Sequence, residues 1–427
     1  MTYKQALNYL YGLQKYGVKF GLSKTSNLMK RFGNPHHGKA YIHIAGTNGK
    51  GSVAAMIESI LVRSGLKVGF YSSPHLVRFT ERFRINRKEI SKKKAAQLTV
   101  ELKSIIDPNH PPTYFEVTTA MALTYFAREE TDIAIMEVGM GGRLDATNII
   151  RPLVSAITNI SLEHQFFLGN SLLDIAGEKA GIIKKGVDTV TAAIRQPVIS
   201  LFERVCSERG APFWRVGKDV RYRTTRSGLH YYGINRVLKN LETGLKGEFQ
   251  SRNAALALSV IELLERKGFG ISSPDIREGL REVKWPGRIQ IISEKPYIIL
   301  DGAHNPGAVK ELVHAIKKCF SYKRLILVLG VMNDKDINRI IKVVAPVSDY
   351  VVCASPVYYR SADTTVLMKG VRALRKRGET APSVSKAISR AKELARPEDL
   401  ILVTGSLFTV GEALTAIDPV KYKADGI

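Results

Sequence analysis

The chain has 427 residues, 44% of them apolar, which is enough for two or three domains with sizeable cores; no apolar run reaches 18 residues, which excludes a membrane-spanning helix. Met1-Thr2-Tyr3-Lys4-Gln5 carries no signal-peptide pattern, and the cysteines (Cys206, Cys319, Cys353) are odd in number and lack CxxC spacing, so a cytoplasmic protein without a disulfide framework or zinc site is expected. Against 39 Asp and Glu stand 64 Lys and Arg, a net charge of +25, which composition alone leaves open to a nucleic-acid surface, a site for a polyanionic small substrate, or a solvated basic surface.

Leu7, Leu10, Leu13, Leu22 and Leu28 recur at helical spacing and predict two short helices, broken near Gly17 to Gly21 and ended by Gly33-Asn34-Pro35. The apolar run Tyr41 to Ala45 then enters Gly46-Thr47-Asn48-Gly49-Lys50-Gly51-Ser52 and an amphipathic helix start, a strand, loop and helix. Such a turn leaves backbone N–H groups free at a helix N-terminus, lets a phosphate approach the glycines, and adds a point charge through Lys50. The match to the usual nucleotide loop is imperfect: position 44 is Ile rather than Gly, and Gly51 stands between Lys50 and the hydroxyl of Ser52. An ordinary Gly-rich turn is the competing interpretation.

Lys67 to Tyr71 is a second strand before the turn Ser72-Ser73-Pro74-His75, and Thr113 to Arg128 a helix. Ile133 to Glu137 is an apolar strand that delivers a carboxylate at its C-terminal end, where α/β sheets place ligand groups and where phosphate-loop proteins hold Mg²⁺. The competing interpretation of Glu137 is a helix-capping or structural carboxylate. Val154 to Thr158 predicts a strand, 172 to 183 a helix, Thr189 to Ile194 a strand, 213 to 249 a small β appendage and Gln250 to Arg266 a helix. From Arg288 onward, strands near 289, 297, 325, 350 and 400 alternate with helices at 306–319, 336–345, 365–376 and 383–395. The fold class expected is α/β: an N-terminal phosphate-loop, ATPase-like domain over 1–285 with a mostly parallel sheet and β appendage, and a smaller Rossmann-like α/β domain over 286–427.

His164 on its loop fits either a metal ligand or a hydrogen-bonded structural histidine. Lys179, in a small and apolar helix, is either a desolvated, nucleophilic amine or a surface lysine. Asp301 and His304 precede the capped helix entry Asn305-Pro306, at a sheet mouth; the alternative is a turn closed by Asp301 and capped by Asn305. The basic residues fall in short groups without interleaved aromatics or an RNA-binding signature, so no nucleic-acid partner is expected.

Taken in order, Ile44 to Ser52, Ser72-Ser73-Pro74-His75, Phe115-Glu116, Glu137 to Asn148, His164-Gln165, Glu178 to Ile182, Trp285-Pro286-Gly287-Arg288, Asp301 to Pro306 and Thr404-Gly405-Ser406 resemble the folylpolyglutamate synthase/dihydrofolate synthase family of the Mur ligase superfamily, over nearly the whole chain. The resemblance implies an ATP-dependent amide ligase: a folate or dihydropteroate carboxylate takes the γ-phosphoryl of ATP, and the amine of L-glutamate attacks the acyl phosphate. It assigns Gly49, Lys50 and Ser52 to the phosphates, and Ser73, Glu137 and His164 to metal, with two Mg²⁺ expected. It matches Lys179 to a lysine carried as a carbamate that helps bind the second Mg²⁺; Asn253, Arg288, Asp301 and His304 to ATP-contacting positions; and Thr113, Phe115 and Asp145 to positions near the pterin. Lys50, Lys179 and His304 are the residues expected to serve catalysis. Glu163 stands where an aspartate is usual. A monomer acting on small molecules is expected, the alternatives being a Mur-type ligase for a non-folate acceptor and a basic nucleic-acid-binding ATPase.

Overall fold

The computed structural model describes residues 1–17, 21–225 and 227–425, so the break expected between Gly17 and Gly21 falls largely outside them. The first sheet has eight strands: β1 (Tyr41–Ala45), β2 (Val68–Tyr71), β3 (Phe83–Ile85), β4 (Lys88–Glu89), β5 (Ile133–Glu137), β6 (Val154–Ile157), β7 (Asp188–Thr191) and β8 (Phe213–Arg215). Their order is β4-β3-β2-β5-β1-β6-β7-β8, parallel except for the antiparallel edge formed by β3 and β4. Strand β1 is buried along its whole length, as befits the centre of a parallel sheet, and lies between β5 and β6. The chain therefore leaves β1 toward one side of the sheet and returns at β6 on the other, a switch of direction that opens a crevice at the strand C-termini.

The helix Lys50–Arg63 starts at Gly49, whose φ of +88° favours glycine. It is buried all round from Gly51 to Leu61 rather than amphipathic, because the helices Phe249–Glu265 and Ser273–Glu282 cover the side that faces away from the sheet. On the opposite face, the helices Tyr3–Gly12, Ser23–Arg31, Lys92–Ile105 and Tyr114–Arg128 close a second core around Phe79, Phe83 and Met121.

A separate antiparallel sheet holds β9 (Arg221–Thr225), β10 (Gly228–Tyr232) and β11 (Val237–Leu241). The appendage expected over 213–249 is thus shorter. β8 belongs to the main sheet, paired parallel with β7 and fastened by the Trp214 indole, which donates to Asp188 Oδ1 at 3.1 Å, while Phe249 already opens a helix.

The last sheet contains β12 (Gln290–Glu294), β13 (Tyr297–Leu300), β14 (Leu325–Leu329), β15 (Tyr350–Cys353), β16 (Gly378–Thr380) and β17 (Leu400–Thr404), in the order β12-β13-β17-β14-β15-β16. Only β12 runs antiparallel to its neighbour. Its helices, Pro306–Cys319, Ile337–Val344, Thr364–Ala373, Val384–Leu394 and Leu407–Ile417, cover both faces. Leu76 and Val77, in the loop after β2, pack into the core of this last sheet beside Val410. The approach is close enough that a Cβ on Gly411 would sit 2.1 Å from the Leu76 carbonyl oxygen. No helix among the described residues is long and apolar enough to cross a membrane.

Candidate active site

A cleft of about 590 Å³ lies between the C-terminal edges of the two parallel sheets. It is lined by Gly46 to Ser52, Ser73, Glu137, His164, Lys179 and Asn253 from the first part of the chain, and by Arg288, Asp301 and His304 from the second. Most reach it from the end of a strand or the start of a helix, which is why βα alternation places them together, whereas Lys179 comes from the C-terminal end of the helix Leu172–Ala180 and Asn253 from the second turn of the helix Phe249–Glu265.

The loop after β1 is held from below by the loop after β6. The backbone N–H of Thr47 donates to the Asn159 carbonyl and that of Asn48 to Asn159 Oδ1, both at 2.8 Å, while Thr158 Oγ1 donates to the Asn48 carbonyl at 2.6 Å. Gly49 faces the Asn253 side-chain amide so closely that a Cβ would meet Oδ1 at 2.7 Å. Asn253 is itself oriented by Gln250, whose Nε2 donates to Ser52 Oγ at 3.4 Å. Lys50 Nζ lies 3.0 and 3.2 Å from the carbonyl oxygens of Gly46 and Thr47, its ammonium folded over the loop.

Lys179 is no surface lysine: it is 5% exposed, and Nζ donates to the Gly46 carbonyl at 3.0 Å. Burial, reinforced by the charge of Lys50, lowers its ammonium to about 7. Glu137 is also buried and accepts from the Ser73 backbone N–H at 3.3 Å; burial raises its carboxyl above the usual range against the pull of Lys50 and Arg288. Burial brings His164 down to about 4, with the charges of Lys335, His304 and Lys50 adding to it and Glu163 opposing, so its imidazole is neutral, the form that binds a metal.

Among the described residues no three His, Cys, Asp or Glu side chains converge as a ready-made metal cage. The donor set is instead one carboxylate, one neutral imidazole and the hydroxyl of Ser73. That set fits Mg²⁺, which takes few protein ligands and completes its shell with phosphate oxygens and water.

From the second sheet, Asp301 accepts from the N–H groups of Ile289 and Ala303, each at 2.8 Å, and burial raises its carboxyl while Arg288 pulls it down. Arg288 donates to the Gly287 carbonyl at 2.9 Å and turns its positive charge toward both Asp301 and Glu137. His304 lies across the cleft from Glu163, with Nε2 3.0 Å from Oε1. Burial pushes the Glu163 carboxyl up, but the hydrogen bond from His304 and the charges of His304, His164 and Lys335 outweigh it and hold the group well below the usual range. Lys335 had no signal in the sequence beyond its place in the loop after β14, at the same sheet edge. Asn159 and Thr158 were likewise visible only as parts of a C-terminal-edge loop.

Thr113, Phe115 and Asp145 do not line the cleft. Thr113 caps the helix Tyr114–Arg128 in a reciprocal pair with Glu116, and Phe115 lies against Gly139, where a Cβ would meet its ring at 2.4 Å. Asp145 is buried and accepts from the N–H groups of Gly139, Met140 and Thr147 and from the Thr147 hydroxyl, with burial raising its carboxyl against these bonds. It thereby fixes the turn of Gly139 to Gly142, one layer behind the cleft. Asp145→Ala leaves three backbone donors without this acceptor, and a loss of about 3 kcal/mol in urea unfolding is expected.

The chain matches the Mur ligase middle domain over residues 44–261 and the Mur ligase glutamate ligase domain over 287–407. It is 35% identical to a probable bifunctional folylpolyglutamate synthase/dihydropteroate synthase of Haloferax volcanii over 97% of this chain, and spans about half of that relative, 50% of its length. With the dihydrofolate synthase/folylpolyglutamate synthase of Escherichia coli the identity is 35%, covering 96% of this chain and 94% of the relative. The structure of Escherichia coli FolC in complex with DHPP and ADP superposes with a TM-score of 0.91 at 34% identity over 99% of both chains. The bifunctional folylpolyglutamate synthase/dihydrofolate synthase of Yersinia pestis, complexed with AMPPNP and Mn ion, gives 0.89 at 32% identity over 98% of both.

Proposed function

The chain belongs to the folylpolyglutamate synthase/dihydrofolate synthase family of Mur ligases, and from that premise we propose that it is an ATP-dependent amide ligase. Its reaction joins L-glutamate to the carboxylate of a folate or of dihydropteroate, the chain acting as a monomer on small molecules. The observation that carries this reading is the convergence, in one cleft, of the Gly46–Ser52 loop, Glu137, His164 and the buried amine of Lys179 with Asp301 and His304 from the facing sheet.

In this reading the domain over 1–285 binds ATP and the domain over 286–427 presents glutamate. A carboxylate oxygen of the acceptor attacks the γ-phosphorus and ADP departs; the amine then attacks the acyl carbon, the C–O bond to phosphate breaks, and the amine gives up a proton. Phosphoryl transfer depends on positioning and charge neutralisation more than on covalent help from the protein. Lys50, at the head of the helix that begins at Gly49, supplies positive charge to the outer phosphates, and Gly46 to Ser52 cradle them with backbone N–H groups.

Arg288 and His304 add positive charge from the opposite wall, and Asn253 and Asp301 orient the nucleotide. Ser73, Glu137 and His164, with Lys179 as its carbamate, would hold two Mg²⁺, which when bound would supply positive charge for the phosphates. Thr113, Phe115 and Asp145 shape the pterin end through the turn at Gly139.

Purified protein with ATP, Mg²⁺ and L-glutamate is expected to release ADP when dihydropteroate or tetrahydrofolate is supplied in parallel assays. ADP release with neither, but with another carboxylate from an acceptor panel, would replace the folate assignment by a different Mur-type acceptor.

A further inference from the structure

Among the described residues, Glu163 is the one carboxylate of the cleft with a salt bridge that reaches from the first parallel sheet to the second. Its side chain is 9% exposed, and Oε1 lies 3.0 Å from His304 Nε2, 3.5 Å from Lys335 Nζ and 3.7 Å from His164 Nε2. The other ring nitrogen of His304, Nδ1, is 2.8 Å from the Gly302 carbonyl, so both nitrogens face acceptors and the ring is fixed in orientation. Lys335 is nearly buried, and among the described residues its only other acid partner, Asp334, is at 3.9 Å. A second cross-cleft tie lies beside the first: Asn305 Nδ2 donates to Asn48 Oδ1 at 2.8 Å, and Asn48 Nδ2 returns a bond to Asn305 Oδ1 at 3.4 Å. Asn48 belongs to the phosphate loop and Asn305 caps the helix that follows His304.

We infer that Glu163 is a positioning residue that registers the second sheet on the first. It gathers His304 and Lys335 onto the loop that ends in His164, so that the segment Asp301 to Asn305 stands opposite the phosphate loop when the acyl phosphate meets the amine. The inference rests on the ligase reading for its consequence in turnover, but not for the clamp itself. Physical chemistry supports the role in two ways. Removing the carboxylate leaves Lys335 and His304 beside each other without their shared partner in a partly desolvated cleft, where paired charges set register and an unpaired one is costly. Reach matters as well: an aspartate is shorter by one C–C bond, about 1.5 Å, so the contact at 3.0 Å would open beyond hydrogen-bonding distance unless the sheets moved together.

The test uses the full chain with Glu163→Gln, Glu163→Asp, Lys335→Met and the double variant Glu163→Gln/Lys335→Met. The expected result is a kcat lower by about 10- to 100-fold for Glu163→Gln, the scale of loss when reacting groups are misplaced by about an ångström, with the Kd for ADP within twofold of wild type. Glu163→Asp is expected to lose turnover as well, and the double variant to be no worse than Glu163→Gln within threefold.

A distance measurement reads the clamp directly. Cys319 is the exposed native thiol while Cys206 and Cys353 are buried, so labels at Cys319 and at Arg204→Cys, on the exposed side of a first-sheet helix, report the separation of the two parts. With AMP-PNP and Mg²⁺, wild type is expected to give one narrow distribution and Glu163→Gln a longer, broader one. Unchanged kcat with an unchanged distribution overturns the inference. So does a loss of ADP binding equal to the loss of kcat, or an additive double variant, since either would mark an ordinary structural carboxylate. If wild type turns over no folate acceptor, the ligase reading fails while the distance measurement still decides the clamp.

Discussion

Lys179→Ala is expected to lower kcat at least a hundredfold, to leave the Kd for ADP within a few-fold, and to regain part of the activity when acetate or another small carboxylate is added. The reason begins with burial. Lys179 is 5% exposed against the phosphate loop, and desolvation, with the nearby charge of Lys50, lowers its ammonium to about 7. At neutral pH about half of the side chains then carry a free amine, whereas an ordinary lysine offers about one in 2,500. The free amine is the form that adds to carbon dioxide, and a carbamate formed there would replace a buried cation with an anion beside Lys50 and within the cleft that holds Glu137 and His164. Rescue by a carboxylate but not by a primary amine distinguishes the carbamate from a lysine that serves as a cation. Full activity in the alanine variant would remove Lys179 from the mechanism.

The same lysine gives a pH dependence of stability with a definite sign. Its folded value, about 7, lies below the value near 10.5 of an unfolded chain. Below pH 7 both states are protonated and the fold bears the whole cost of a buried cation. Between 7 and 10.5 the unfolded state holds more protons, so this cost is relieved as pH rises and stability increases. Lys179→Met, which fills the site with an uncharged side chain, is therefore expected to have a higher Tm than wild type at pH 6 in CO₂-free buffer, with the gap closing toward pH 10. A gap independent of pH would show that the ammonium is not the destabilising element.

The site was legible where chemistry is tied to strand ends. Ile133–Glu137 and the helix Pro306–Cys319 have the bounds that their apolar runs and capping residues predict, and each delivers its ligand groups at a sheet edge. Short edge elements were missed for a physical reason. The three residues of β3, the two of β4 and the three of β16 include charged side chains and are too short to show alternation. The helix Lys92–Ile105 presents itself in sequence as a lysine cluster, although Ser91 caps it, and the helix Gln196–Glu208 carries Pro197 in its first turn, where proline is tolerated. Nothing local in the sequence tells whether Phe213–Arg215 joins the main sheet or the small one, since that depends on the edge of β7. The Glu163–Lys335 contact is equally invisible, because it exists only once two sheets face each other.

Gly46→Ala is expected to weaken ADP binding by about 100-fold, near 2.7 kcal/mol, and to cost about 1–3 kcal/mol of stability in urea unfolding. Gly46 has φ of +141°, in the region that L side chains rarely adopt, and a Cβ built there would lie 1.8 Å from Thr158 Oγ1 and 3.0 Å from Thr158 Cβ. Neither neighbour can yield freely. Thr158 Oγ1 is already bonded to the Asn48 carbonyl, and the Gly46 carbonyl receives both Lys50 and Lys179. A shift of Gly46 would therefore carry the two lysines and the Thr47 and Asn48 N–H groups with it, so the damage falls on the phosphate site before it falls on the core. Gly46→Ala/Thr158→Ala removes the hydroxyl clash but not the backbone strain, and a partial return of ADP affinity is expected, read by calorimetric titration. An ADP Kd within threefold of wild type in the single variant would mean that the loop adjusts around a Cβ, and that its grip on nucleotide does not depend on the close approach of Gly46 to Thr158.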